Sequence, residues 1–106
     1  MSLKFKVGVS INLLQPQMVV ALRVVEDEFS RFSLDTVVTS ANDAEHKKGS
    51  FHYSGRALDF RTKHAAGVAA GIISTIKKQL VPLGFDVIWE GAGTDNEHLH
   101  IEYDPK

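Results

Sequence analysis

The chain has 106 residues, with 12 Lys+Arg against 13 Asp+Glu, five His and no Cys. That length predicts one domain over 1–106, since domains run to about 100–150 residues. A hydrophobic fraction of 43% argues for a folded core. The near-neutral charge excludes a binder that neutralises nucleic-acid phosphates, and the missing cysteine excludes disulfides, thiolate metal sites and a cysteine nucleophile.

At the N-terminus Leu3, Phe5, Val7, Val9 and Ile11 share one parity. This pattern predicts an edge-type strand over 3–11 and not a leader peptide. No run approaches the roughly 20 apolar residues of a bilayer span. The expected location is cytoplasmic as synthesised, with any route to an outside target supplied by lysis or by a phage. Pro16 suits a first helical turn. Met18, Leu22, Val25, Phe29 and Phe32 follow at spacings of four and three, which predicts a helix over 16–32. Glu26, Asp27 and Glu28 read as its solvated face.

The β-branched run from Asp35 to Ser40 predicts a strand, and the polar residues 41–50 a loop. Leu58 and Phe60 alternate with Asp59 in a further strand. Ala65, Ala69, Ile72, Ile73, Ile76 and Leu80 outline a second helix over 63–80. Lys77 and Lys78 complement its C-terminal dipole, and Pro82 with Gly84 ends it. Phe85–Trp89 is a strand, 91–96 a loop, and Leu99, Ile101 and Tyr103 alternate with His98, His100 and Glu102 in a last strand. This order predicts a small α+β domain: a largely antiparallel sheet with two helices on one face. The parity of Asp59, His98, His100 and Glu102 puts them on the opposite, free face.

Two segments concentrate the chemistry: Ser50-Phe51-His52-Tyr53-Ser54-Gly55-Arg56-Ala57-Leu58-Asp59 and Glu97-His98-Leu99-His100. A turn at Tyr53-Ser54-Gly55 lets His52 fold back towards the Asp59 face. Two imidazoles and one carboxylate, with a position left for water, have the composition of a catalytic zinc site. Glu97 falls just ahead of the strand, within reach of a metal-bound water. A rival set exists, in which His98 and His100 share a metal with Glu102 or His52. Alternating polar residues on a surface strand also occur with no metal at all. His46 and His64, isolated among polar residues, read as surface.

The pattern Ser50-x-His52-x-x-Gly55-x-Ala57-x-Asp59 with Glu97-x-x-His100 resembles the motif pair of the M15 zinc peptidases, over about residues 37–104. These include D-alanyl-D-alanine carboxypeptidases, vancomycin-resistance dipeptidases and phage L-alanyl-D-glutamate endolysins, and Hedgehog signalling domains share their fold. The resemblance implies that His52, Asp59 and His100 bind zinc, Zn2+, and that Glu97 is the catalytic base. It implies hydrolysis of peptidoglycan peptide bonds by a metal-activated water, without nucleic-acid or membrane partners. His98, Ser50 and Arg56 become candidate substrate contacts, and Glu102 a residue that orients a ligand imidazole. One departure stands out. The family commonly carries an arginine after the first sheet strand, and here Thr39-Ser40-Ala41-Asn42-Asp43-Ala44 has none. Removing an oxyanion donor costs about 10²–10³ in rate. The competing expectation is therefore a weak or inactive zinc-binding structural or interaction module of the same fold.

Overall fold

Alternation between apolar and polar residues builds the sheet, and the helical stripes close over its apolar side. The computed structural model describes residues 2–11, 14–41 and 55–105. In chain order these form β1 (Leu3–Phe5), α1 (Gln17–Ser30), β2 (Thr36–Ser40), β3 (Ala57–Arg61), a 3₁₀ turn (Lys63–Ala65), α2 (Ala69–Leu80), a second 3₁₀ turn (Val81–Leu83), β4 (Phe85–Glu90) and β5 (His98–Tyr103). The strands make one five-stranded sheet in the order β1-β2-β3-β5-β4.

The sheet is mixed, which corrects the expectation of a largely antiparallel one only at its first edge. β1 runs parallel to β2, whereas β2–β3, β3–β5 and β5–β4 are antiparallel. A parallel neighbour needs a long crossover, and α1 is that crossover.

Met18, Ala21, Val25 and Phe29 from α1 and Ile72, Ile73, Ile76 and Leu80 from α2 share one cluster with Val38, Leu58, Phe60, Phe85, Val87, Leu99 and Ile101 from the sheet. Side chains alternate across a strand, so this core uses one face only. The other face carries Asp59, Arg61, His98, His100 and Glu102.

Three predicted elements end differently, each for a local reason. The first strand stops at Phe5, because a turn follows: Val9 N–H donates to the Lys6 carbonyl at 3.1 Å, and Gly8 takes φ +91°. Val7 is consequently 98% exposed despite its parity. The second helix does not begin at 63. Gly67 at φ +90° interrupts it, leaving a 3₁₀ turn before α2 starts at Ala69. The first helix stops at Ser30, so Phe32 lies beyond the stripe and is 49% exposed. Gly84, at φ +98°, ends the turn after α2 as its sequence position requires.

Two readings of polar residues are also corrected. Glu28 is not on a solvated face: it is 5% exposed, accepts from Gln79 Nε2 at 2.8 Å and pairs with Arg31 Nε at 3.2 Å. His64 is half-buried against Phe29, with ring centroids 5.5 Å apart, and its Nε2 lies 2.6 Å from the Asp35 carbonyl oxygen.

Candidate functional site

Pairing register brings the free-face residues into rows. Asp59 sits opposite His100, and His100 opposite Ile88. One step towards the C-terminus of β3, Arg61 faces His98, and His98 faces Glu90. One step the other way, Ala57 faces Glu102, and Glu102 faces Asp86. Glu97 follows at the open end of the His98 row, just before β5 begins.

His100 is the centre of the arrangement. Its Nδ1 lies 2.8 Å from Asp59 Oδ1 and its Nε2 lies 2.7 Å from Glu102 Oε1. Burial alone lowers the imidazole pKa. The hydrogen bonds and negative charges of Asp59 and Glu102 outweigh it and hold the value at about 9. Without metal, His100 is therefore a cation at neutral pH, clamped between two carboxylates.

Glu97 has a different environment. The Thr62 hydroxyl donates to Oε2, and Gly93 N–H donates to Oε1 at 2.9 Å. These donors, Thr62 first, hold the carboxyl below its ordinary value although partial burial opposes them. Glu97 is ionised at neutral pH, and both its oxygens are engaged. It closes the 91–97 loop, in which Gly91 at φ +64° leaves little room for a side chain: an added Cβ would lie 3.0 Å from the Asn96 carbonyl oxygen.

A cavity of about 710 Å3 opens on this face, and Asp59, Arg61, Glu97 and His98 line it together with Lys6 and Lys63. His98 is fixed at its wall, with Nδ1 2.7 Å from the Asn96 carbonyl oxygen and Nε2 3.5 Å from Glu90 Oε1. Arg56 is held elsewhere: its Nε donates to the Tyr103 carbonyl at 3.0 Å, and its guanidinium lies 6.0 Å from the Tyr103 ring centre. Ser50 and His52 lie outside the described residues, as does His46.

The residues described are compatible with zinc. A carboxylate oxygen and an imidazole nitrogen meet on neighbouring strands, and the second imidazole nitrogen is held by a carboxylate behind it. That carboxylate–histidine arrangement is the usual support of a zinc ligand. The structure thus brings Asp59, His100 and Glu102 into contact, and puts Glu97 and His98 on the wall of the same cavity as Asp59. His64, read from its polar surroundings as a surface residue, also lines that cavity. Its anchor, the Asp35 carbonyl, is distant in sequence and invisible to any local pattern.

A second group of possible metal donors lies one row away. Carboxylate oxygens of Asp86, Glu102 and Asp104 all lie within 4.8 Å of one another. Local spacing does not reveal this group, because Asp86 comes from β4 whereas Glu102 lies on β5 and Asp104 just past it. No helix among the described residues is long and apolar enough to cross a membrane.

No curated protein matches the chain, and no solved structure does. A family model does match, that of the Hedgehog amino-terminal signalling domain, and it covers residues 13–101. It takes in α1, the strands β2 to β4, α2 and most of β5, including Asp59, Glu97 and His100. The chain belongs to the Hedgehog amino-terminal signalling domain family.

Proposed function

We propose that the chain is a zinc metallopeptidase that hydrolyses peptide bonds of bacterial peptidoglycan. His52, Asp59 and His100 would hold the metal, and Glu97 would act as general base. The observation that carries this reading is the Asp59–His100–Glu102 series on one exposed sheet face. It supplies two candidate ligands and a carboxylate that fixes the imidazole tautomer. When bound, zinc supplies Lewis acidity and makes a water acidic enough to ionise near neutral pH.

The chain's own residues have separate tasks. Asp59 gives an anionic donor that stays in place because its strand, β3, is paired with β2 on one side and β5 on the other. Glu102 accepts the Nε2 proton of His100 and leaves Nδ1 facing Asp59. Glu97 is ionised and stands at the cavity wall, where its carboxylate can take a proton and return it to a leaving amine.

A second reading has its own support. Both Glu97 oxygens already accept hydrogen bonds, and these lower its basicity. A residue so engaged also suits a structural role, with the domain serving as a zinc-binding interaction module. The family name, a signalling domain, agrees with that reading.

Peptidoglycan digestion followed by mass spectrometry of the released peptides, run beside a zinc assay, separates the two. The peptidase reading expects close to one zinc per chain and defined fragments. It also expects Glu97→Gln to lose activity by about 10²–10⁴-fold while keeping its zinc. Zinc without fragments establishes the interaction module instead. Unchanged zinc content in His52→Ala overturns the ligand set.

A further inference from the structure

Glu97 lines two cavities. One is the free-face cavity of about 710 Å3. The second, of about 440 Å3, opens between the 91–97 loop and the residues that lead into α2. Ala66, Gly67, Ala69 and Ala70 line it from the helix side, and Trp89 lines it from the end of β4. Trp89 pairs with Leu99 in the sheet and packs against the core cluster. It shares the parity of Phe85 and Val87, so it approaches Glu97 from the side of the sheet opposite to Asp59 and His100.

The indole nitrogen of Trp89 is anomalous. Its Nε1 is buried, and it has no hydrogen-bond partner among the described residues. A buried donor without an acceptor is uncommon in a native fold and marks a strained or functional position. The acceptor beside it is Glu97. Thr62 and Gly93 do most to hold that carboxyl below its ordinary value, and the Trp89 indole adds to their effect. Three segments thus aim donors at one carboxylate: Thr62 just past β3, Gly93 in the loop and Trp89 on β4. A carboxylate has about four lone-pair sites, so a third donor does not have to displace the other two.

We infer that Trp89 is a positioning residue for Glu97, its indole N–H being the reserve donor that takes the carboxylate when the Thr62 or Gly93 bond is released. The two present bonds differ in security. Thr62 is fully buried, whereas Gly93 belongs to an exposed loop and takes φ +82°. An exposed loop is where a backbone hydrogen bond opens most readily. When Gly93 lets go of Oε1, the indole keeps the carboxylate at the cavity wall, and the charge on Glu97 strengthens that bond. That Glu97 moves a proton rests on the peptidase reading above. The pairing of Trp89 with Glu97 does not.

The test uses the full chain, metal-free and zinc-loaded. Trp89 is the one tryptophan in the sequence, so its indole N–H gives a single NMR resonance. Thr62→Val is expected to move that proton downfield and slow its exchange with water, because Glu97 then turns to the indole. Thr62→Ser is expected to keep the wild-type position. Glu97→Gln is expected to move it upfield, because the charged acceptor is gone. An indole resonance that ignores either Thr62→Val or Glu97→Gln overturns the inference. On peptidoglycan, Trp89→Phe is expected to lower kcat about tenfold with KM unchanged, the effect of losing one hydrogen bond to a charged group. The indole measurements decide alone if Trp89→Phe does not fold. If the indole responds as stated while peptidoglycan stays intact, the Trp89–Glu97 pairing stands and the peptidase reading falls. If peptidoglycan is cut and folded Trp89→Phe keeps the wild-type kcat and KM, the positioning role falls and the peptidase reading stands.

Discussion

His100 concentrates the residue-scale chemistry. Its pKa is raised from 6.5 to about 9 in the metal-free fold, so folding takes up a proton between those values. A raised pKa means the stabilising interaction is fully present below the unfolded value and is lost as pH rises through the folded one. Thermal melts of the metal-free chain should therefore show a lower melting temperature at pH 10 than at pH 7. His100→Gln should flatten that dependence. Glu102 acts on the same ring from the other side. Glu102→Gln should weaken zinc binding about 10–100-fold, the usual cost of removing the support behind a ligand imidazole. Competition with a chromophoric chelator measures it. Strand parity made Asp59, His100 and Glu102 legible as neighbours, because alternation fixes which residues share a face. It said nothing of Thr62 and Gly93, which decide the state of Glu97 from a different segment and from within a loop.

At the scale of elements, Glu28 shows why helix faces resist reading by charge alone. Three consecutive acids on α1 look like a solvated surface, yet helical geometry turns the third of them towards α2. There Gln79 and Arg31 satisfy it. Truncating it removes the charged acceptor of Gln79 Nε2 and the partner of Arg31 at the helix–helix contact. Glu28→Ala should cost about 1.5–3 kcal/mol, the range for a hydrogen bond to a charged group. The shift in urea midpoint reports it, and Gln79→Ala should cost less because it leaves Arg31 on Glu28. The apolar stripes of α1 and α2 were legible because each covers a contiguous core. The break at Gly67 was not, because a glycine inside a helical pattern is tolerated as often as it interrupts.

Across the whole molecule, the single core under two helices separates stability from chemistry. Phe60 is fully buried, while Asp59 beside it faces the opposite side. Phe60→Ala should destabilise the fold by about 3–5 kcal/mol, measured by urea denaturation. Zinc bound per folded chain should stay unchanged. The order of elements and the α+β class follow from periodicity. The parallel β1–β2 pairing does not, since alternation carries no information about strand direction.

The strand order has one more consequence. Its two open edges, β1 and β4, are each a template on which another chain's strand can add by backbone pairing. The first edge offers only three residues, with Lys4 within it and Lys6 just beyond. The last carries Asp86 and Glu90 towards the free face. An incoming strand would have to strip water from these charges and would find few apolar partners above them. The charged residues that give the free face its chemistry thus also guard the sheet against aggregation.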